Sequence, residues 1–447
     1  MTRRFIFSDL SGMSPGQKAL TTTDKDWLSK LAAECDATAL TVQLGRERRL
    51  RHFEAPEPVL TAQADGSFRA GRFIGEVRRG ERVLEIRPRL GLPVITHWAN
   101  TALNLRLLPA SAGHDGMGFL LAELQAAMWR RLLTKAIQHG YPATRAQVNH
   151  RGELVRGQLD IVGTIAMRTA GLYGIASVHK EKTLDNPASR TIVLAARTLR
   201  RELHRPNWQG QEIASLLTHL EARTGSRPNL PTSRELRRIR YTPMTLPYKR
   251  AVEFSWRIAS GKALQSSASS DDYDGALLDV AELWELFLLH CVRLAVPDGL
   301  EVIHGTTSSQ TPLLQSSVDS SRTLGRLFPD ILISDPVGPL AVIDAKYKRL
   351  TDPFPVARED LYQLTSYVIA VSAGTRPILG MLAYPQFVDE EPSSAEALGP
   401  WLVPGVAHQQ RVCFLRFPVD SMQCIAALAD QLRSTTSAAG LVQATES

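Results

Sequence analysis

Pro329-Asp330 and Asp344-Ala345-Lys346 put two carboxylates and a lysine into one otherwise apolar stretch, and Gln363-Leu-Thr-Ser-Tyr367 follows closely. Acids and a lysine at the ends of adjacent strands suit one chemistry, the metal-assisted hydrolysis of a phosphodiester. Carboxylate oxygens completed by a backbone carbonyl, phosphate and water match the preferences of Mg²⁺ or Mn²⁺. Such an ion polarises the scissile phosphate and lowers the pKa of an attacking water. Lys346 would orient that water or neutralise charge growing on the phosphoryl oxygens. No covalent intermediate is required. Asp330 and Asp344 are thus candidate metal ligands and Lys346 the candidate catalytic lysine.

A strand has period two, so Asp344, Lys346 and Lys348 share a face. Thirteen residues separate Asp330 from Asp344, enough for one strand, the turn Asp335-Pro-Val-Gly-Pro339 and the return strand. The spacing leaves the register open, and with it whether the two acids meet at one end. An Asp-x-Lys triplet alone is common. This one follows Leu340-Ala-Val-Ile343, at the end of a strand that reads as buried, where a carboxylate is costly unless paired or metal-bound.

A helix is predicted over Arg358–Ser372. Asp360, Gln363 and Tyr367 fall at i, i+3 and i+7 on one face, while Leu361, Leu364, Val368 and Val371 form the core stripe. Gln363 and Tyr367 then stand near Lys346 or a DNA phosphate; a merely solvated face is the other reading. Upstream, Leu283-Trp-Glu-Leu286 offers Glu285 as a third carboxylate for the metal, or as a surface residue beside a core Trp284.

These groups need a scaffold. Residues 276–447 read as an α/β module: helix Ala276–Leu294, strands Leu300–His304, Leu313–Val318, Phe328–Ser334 and Leu340–Lys348, the helix already named, strands Ile378–Tyr384 and Val412–Phe417, and helix Ser421–Ser434. Residues 261–275 form a Ser-rich linker without periodicity. Residues 1–110 look β-rich, with a hairpin of Phe68–Val77 and Arg82–Arg87 turning at Gly80. In its second run Leu84 and Ile86 make an apolar face, and Val83, Glu85 and Arg87 a mostly charged one; Pro88 ends it. Residues 111–260 read as mainly helical (Gly118–Gln138, Thr191–Leu203, Ser233–Ile239, Pro247–Ile258), with an irregular block over Asn149–Pro187. The fold class expected is α+β and multidomain, its C-terminal part a central mixed sheet flanked by helices.

At 447 residues one core does not suffice, and 44% hydrophobic with 22% charged residues excludes a disordered chain. A net charge of +7 favours a polyanionic partner only weakly. Cys35, Cys291, Cys413 and Cys424 are scattered, without a zinc-ligand spacing, and fit a reducing cytoplasm. Met1-Thr-Arg-Arg-Phe-Ile-Phe leads into no apolar signal segment and no window is long enough to span a membrane. Ser260-Gly-Lys262 lacks the earlier glycine of a P-loop, so this chain is expected to bind no nucleotide. His150 and His179 are not spaced for a metal. Arg234, Arg237, Arg238 and Arg240 form a basic cluster that is either a phosphate contact or a solvated face.

Pro329-Asp330, Asp344-Ala-Lys346 and Gln363-x-x-x-Tyr367 resemble the motifs of the PD-(D/E)XK nuclease superfamily, the last in its RecB-like form. Over most of its length the chain is similar to the McrC family, the nuclease subunits of McrBC modification-dependent restriction systems. Phe73-Ile-Gly-Glu-Val77 with Leu84-Glu-Ile-Arg-Pro88 is similar to that family's N-terminal hairpin. Arg156-Gly157 and Leu184-Asp-Asn-Pro187 with Arg190 resemble its middle segment, and Leu278-Asp279 with Leu283-Trp-Glu285 the helix before its nuclease core. The chain departs from it in extra sequence near the N-terminus and around Asp389–Gly405, and in Pro88-Arg89 where the family often has Pro-Lys. The resemblance implies a Mg²⁺-dependent endonuclease with Asp330, Asp344, Lys346, Gln363 and Tyr367 in its site. It further implies docking through the N-terminal region onto a hexameric AAA+ GTPase, McrB, whose hydrolysis the subunit stimulates. A stand-alone RecB-like repair nuclease and a non-catalytic activator of an NTPase are the alternatives.

Overall fold

A computed structural model describes residues 2–35, 41, 44, 57–105, 107, 116–205, 207–266, 274–305, 311–319, 321–350, 356–372, 376–387, 399–404 and 410–438. In chain order these form β1 (Arg3–Ser8), α1 (Thr22–Glu34), β2 (Leu60–Ala62), β3 (Phe68–Ala70), β4 (Phe73–Arg79), β5 (Arg82–Arg87), α2 (Leu92–Leu103), α3 (Gly116–Ile137), β6 (Thr144–Gly152), β7 (Gln158–Leu159), α4 (Ile161–Thr169) and β8 (Ile175–Thr183). There follow α5 (Pro187–Leu203), α6 (Gln211–Thr224), α7 (Ser233–Arg237), α8 (Tyr248–Ser266), β9 (Asp274–Asp279), α9 (Val280–Ala295), β10 (Glu301–His304), β11 (Thr311–Gln315) and β12 (Thr323–Leu327). The chain continues with β13 (Ile331–Asp335), β14 (Gly338–Ala345), α10 (Arg358–Ser372), β15 (Leu379–Pro385), β16 (Trp401–Leu402), β17 (Arg411–Phe417) and α11 (Ser421–Ala438). No helix among the described residues is long and apolar enough to cross a membrane. Residues 267–273 of the linker lie outside the described residues, and α8 runs on through Ser266 into its start. Most of Asp389–Gly405 also lies outside them.

The chain divides into two compact units, one built from residues 1–121 and 275–447 and the other from 122–274. The first and last segments of the sequence therefore share a unit. Their joint sheet has the order β1-β5-β4-β9, with β1 and β5 parallel and β5 and β4 antiparallel. The helix predicted from Ala276 begins four residues later, because Asp274–Asp279 is a strand beside β4. Gly75 and Gly275 (φ +135° and +151°) permit this pairing: a Cβ on either would collide with a carbonyl oxygen of the facing strand. Asp279 then ends the strand and starts the helix. Its carboxylate accepts the N–H groups of Ala281 and Glu282 and pairs with Arg72 at 3.0 Å. The charged face predicted for β5 is not a solvent face. Glu85 is buried, and although burial resists its charge, Arg87 at 2.6 Å and Arg4 at 2.7 Å hold its pKa below the ordinary value.

The second sheet of this unit is mixed, with order β10-β13-β14-β15-β17-β16; β13 and β14 are antiparallel, and β14, β15 and β17 parallel. Helix α10 lies on one face. Leu364, Val368 and Val371 of the predicted apolar stripe pack with Leu332, Val342, Leu382, Tyr384, Val412 and Phe414, Leu361 is partly buried against them, and Tyr367 of the predicted polar face joins the same core. The β13–β14 hairpin is locked at its turn. The Asp335 carboxylate accepts the N–H groups of Val337 and Gly338 and takes a forked pair from Arg376 at 2.9 and 3.0 Å. Arg376 thereby pulls the Asp335 pKa down to about 2.

In the second unit, Trp129 donates to the Ser255 hydroxyl (2.8 Å) and packs on Trp208. Asn186 caps α5 through the Ser189 N–H and Pro187 takes the first helical position. Asp185 holds Arg190 at 2.7 and 3.0 Å. These middle-segment motif residues serve their own fold. The block predicted as irregular is instead a three-stranded sheet, β6-β8-β7, with α4 against β8. Thr144-Arg-Ala-Gln-Val-Asn-His-Arg-Gly152 alternates exposed with half-buried positions but carries few apolar residues, which erases the usual strand signal.

Candidate functional site

The hairpin settles the open register. Ile331 lies opposite Ile343 and Leu332 opposite Val342, so one step further sets Asp330 across from Asp344 at the same end of the pair. The Ala345 N–H donates to the Asp330 carboxylate at 2.8 Å. Lys346, two residues beyond Asp344 and just past the end of β14, places Nζ 2.6 Å from the Asp344 carboxylate and 3.6 Å from that of Asp360; Lys348 also pairs with Asp360. Lys346 Nζ donates to Gln363 Oε1 (2.8 Å), and Gln363 Nε2 donates to the Tyr367 hydroxyl (2.7 Å). That hydroxyl donates to the carbonyl of Phe328 (3.2 Å), just ahead of Pro329-Asp330. The helix face predicted to be polar therefore ties the lysine of one strand to the start of the other.

Glu285 on α9 lies at the same end. It is not a solvated surface acid, for its Oε1 sits 2.7 Å from His304 Nε2 and its side chain is largely covered. Among the predicted residues the structure brings together Asp330, Asp344, Lys346, Gln363, Tyr367 and Glu285. Arg234, Arg237, Arg238 and Arg240 belong to the other unit, all exposed on or beside α7. His150 and His179 sit on paired strands in the other unit, their rings 6.3 Å apart.

Two residues of the cluster escape sequence reasoning, His304 and Tyr384. Both are polar groups closing predicted strands at the edge where the acids lie, and that shared position was the available signal. Tyr384 is fully buried; burial first, then the charges of Asp360 and Asp344, push its pKa far up. Arg89, the departure from the family's Pro-Lys, stacks over Tyr347 (5.7 Å) and Phe387 (5.0 Å), and its backbone N–H donates to the buried Asp9 carboxylate at 2.6 Å. It braces the segment that follows Lys346.

The electrostatics are those of crowded acids. Burial, then the charges of Glu285 and Asp344, push the Asp330 pKa well above the carboxylate range, with Lys346 opposing. Burial disfavours the charge on Lys346, but Asp344, Asp330 and Asp360 outweigh it and hold its pKa above the ordinary value. An excess of negative charge of this kind is what a divalent cation neutralises. Among the described residues no three or more His, Cys, Asp or Glu side chains form a group that could hold a metal ion. Mg²⁺ asks for less, since it is commonly held by one or two carboxylates and keeps several waters or phosphate oxygens. The buried Tyr384 hydroxyl, which makes no hydrogen bond among the described residues, adds a polar group without a protein acceptor beside the acids. The donor set fits Mg²⁺ or Mn²⁺.

A family model described as the McrBC 5-methylcytosine restriction system component matches residues 68–385. Among solved structures, the chain resembles one in a refined half-complex from a tetradecameric assembly of Thermococcus gammatolerans McrB AAA+ hexamers with bound McrC. The TM-score is 0.55 at 14% identity, covering 96% of this chain and 99% of that one. A chain of the cryo-EM structure of the Thermococcus gammatolerans McrBC complex gives a TM-score of 0.37 at 16% identity, over 66% of this chain and 89% of that one. No curated protein sequence matches significantly. At 14% identity the first likeness is one of fold, whereas the family match spans well over half of the sequence; the chain belongs to the family of McrBC 5-methylcytosine restriction system components.

Proposed function

We propose that this chain is the DNA-cutting subunit of a McrBC-like system, a Mg²⁺-dependent endodeoxyribonuclease of PD-(D/E)XK type that works with an AAA+ GTPase hexamer. The observation that carries the reading is the meeting of Asp330 and Asp344 across one end of β13–β14, with Lys346 in contact. Asp330 and Asp344, with Glu285 beside them, would hold the ion. When bound, Mg²⁺ or Mn²⁺ supplies Lewis acidity to the scissile phosphate and acidifies an attacking water. Lys346 keeps a charged ammonium at the acids and offers its protons to a phosphoryl oxygen or to that water. Gln363 fixes the direction of Lys346, and Tyr367 fixes Gln363, so the ammonium is oriented before substrate arrives.

The partner follows from family membership and from the similar fold seen in an assembly of McrB AAA+ hexamers with bound McrC. The resemblance implies docking through residues 1–110. There, however, Phe5, Phe7, Val83, Leu84 and Ile86 are buried within their own unit. Exposed apolar side chains concentrate instead between residues 154 and 173: Leu154, Val155, Ile161, Val162, Ile165 and Tyr173, the last fully exposed at 101%. On α4 only Met167 is buried, so its apolar side faces solvent. A monomer has no use for such a patch, and it suits a protein partner. We therefore add the β6-β8-β7 sheet and α4 to the docking surface.

Val162→Asp with Ile165→Asp tests this. Both positions are exposed, so folding is expected to survive, while co-elution with the GTPase falls at least about tenfold and GTP-dependent cutting of 5-methylcytosine DNA falls with it. Degradation of DNA ends by the isolated chain, with Mg²⁺ but no GTPase or GTP, would support the stand-alone repair nuclease instead.

A further inference from the structure

We infer that His304 is a positioning residue for Glu285, and that the two together form a third arm of the metal site built on Asp330 and Asp344. This rests on the metal-dependent reading above and assigns the site a residue that its motifs do not contain.

Three elements converge to make the pair. On β10, His304 lies opposite Ile331 of β13, the residue after Asp330. The next residue is pressed onto the acid's own backbone: the Gly305 N–H donates to the Asp330 carbonyl at 3.1 Å. A Cβ on Gly305 would collide with the Pro329 carbonyl oxygen, so only glycine allows this approach. The position of His304 is thus set by Pro329-Asp330. On the other side, the rotation of α9 is fixed twice, by the Asp279 cap and by the Trp284 indole, whose N–H donates to the Ala383 carbonyl at 3.2 Å. The same carbonyl accepts the Lys346 N–H at 2.9 Å. Glu285, adjacent to Trp284, is therefore referenced to the strand that carries Lys346.

The two side chains meet at 2.7 Å with exposures of 16% and 20%, so the imidazole N–H···carboxylate bond is largely shielded from water. A pair serving only the fold has no reason to bring a third carboxylate toward two that are already buried. Its negative charge acts on Asp330, and like charges held together there repel. A divalent cation reverses the sign of that interaction. Carboxylates that ligate metals are themselves held by hydrogen bonds, and loss of such a bond costs metal affinity. His304 supplies one here, to Glu285 Oε1.

The test is Mn²⁺ binding to the purified full chain, read from the paramagnetic resonance signal of free Mn²⁺, which requires neither DNA nor partner. His304→Ala is expected to weaken binding about tenfold, and His304→Gln, whose amide can still donate to Glu285, to regain most of it. Glu285→Gln should weaken binding to a similar degree, and His304→Ala should add little to it, because the arm is already lost. Thermal midpoints of the His304 variants separate loss of fold from loss of affinity, with His304→Gln as the deciding variant if His304→Ala melts early. Wild-type affinity in both His304 variants, with binding lost in Asp344→Asn, would overturn the inference and leave the metal site standing. Equal binding by the wild type and Asp344→Asn would overturn the metal reading itself, and this inference with it.

Discussion

Asp344→Asn is expected to lower DNA cleavage by on the order of 10³-fold while leaving the thermal midpoint within a few degrees of the parent. The side chain is 1% exposed, so an isosteric amide leaves packing unchanged. What changes is charge. One of the two carboxylates facing each other across β13–β14 is lost, and with it one of the acids that would hold a cation. Lys346 loses its 2.6 Å partner but keeps Gln363 and Asp360, and Asp330 is freed from a like charge that burial makes costly. These effects oppose each other, which is why stability is expected to move little. Cutting of modified plasmid, with GTPase and GTP supplied, reads the first quantity and thermal unfolding the second. Cleavage within tenfold of the parent would show that Asp344 is not part of the chemistry.

Lys346→Met should lower cleavage by roughly 10²- to 10³-fold as well, but with the opposite signature in stability. Methionine fills most of the space of the lysine stem, so the loss is the ammonium. Asp344, Asp360 and Asp330 share that charge, and removing it leaves buried acids facing one another. Breaking a buried ion pair from one side costs about 3–5 kcal/mol, against near neutrality when both charges go. The variant should melt several degrees early without divalent cation and recover on adding Mg²⁺, by more than the parent gains. A midpoint unchanged with and without Mg²⁺ would mean that Lys346 does not balance these acids. Comparing the two substitutions distinguishes a ligand from a counter-charge, which activity alone does not.

The grouping of the candidate site residues was readable where it is local. Asp344 and Lys346 share a strand face by period two, and Gln363 and Tyr367 share a helix face by period 3.6, so the structure had only to join two faces. The juxtaposition of Asp330 with Asp344 was not readable, since the register depends on a turn clamped by Arg376, far along the chain. Glu85 was legible only as part of a mostly charged face, because nothing near it in sequence reveals its burial against Arg4. Strand β9 looked like the first turn of a helix because its partner, β4, is encoded about two hundred residues earlier. His304 stayed hidden for the same reason: its meaning lies wholly in Glu285, on another element. Motifs report periodicity, whereas pairings across the fold leave no local trace.

The interleaving of the two units also bears on how the protein is made. Strand β4 has no β9, and Trp98 lacks Trp284, Phe287 and the Val419 carbonyl, until the ribosome has passed through the whole of 122–274 and well beyond. At about 5–20 residues per second the passage of 122–274 alone takes roughly 8–30 s, during which the front of the nascent chain carries apolar surface it cannot yet cover. The second unit, continuous in sequence, can fold meanwhile. Ribosome-arrested chains ending before residue 275 are expected to show Trp129 protected and Trp98 open to an aqueous quencher, and chains arrested well after residue 420 to protect both. Early protection of Trp98 would mean that the front segment folds unaided.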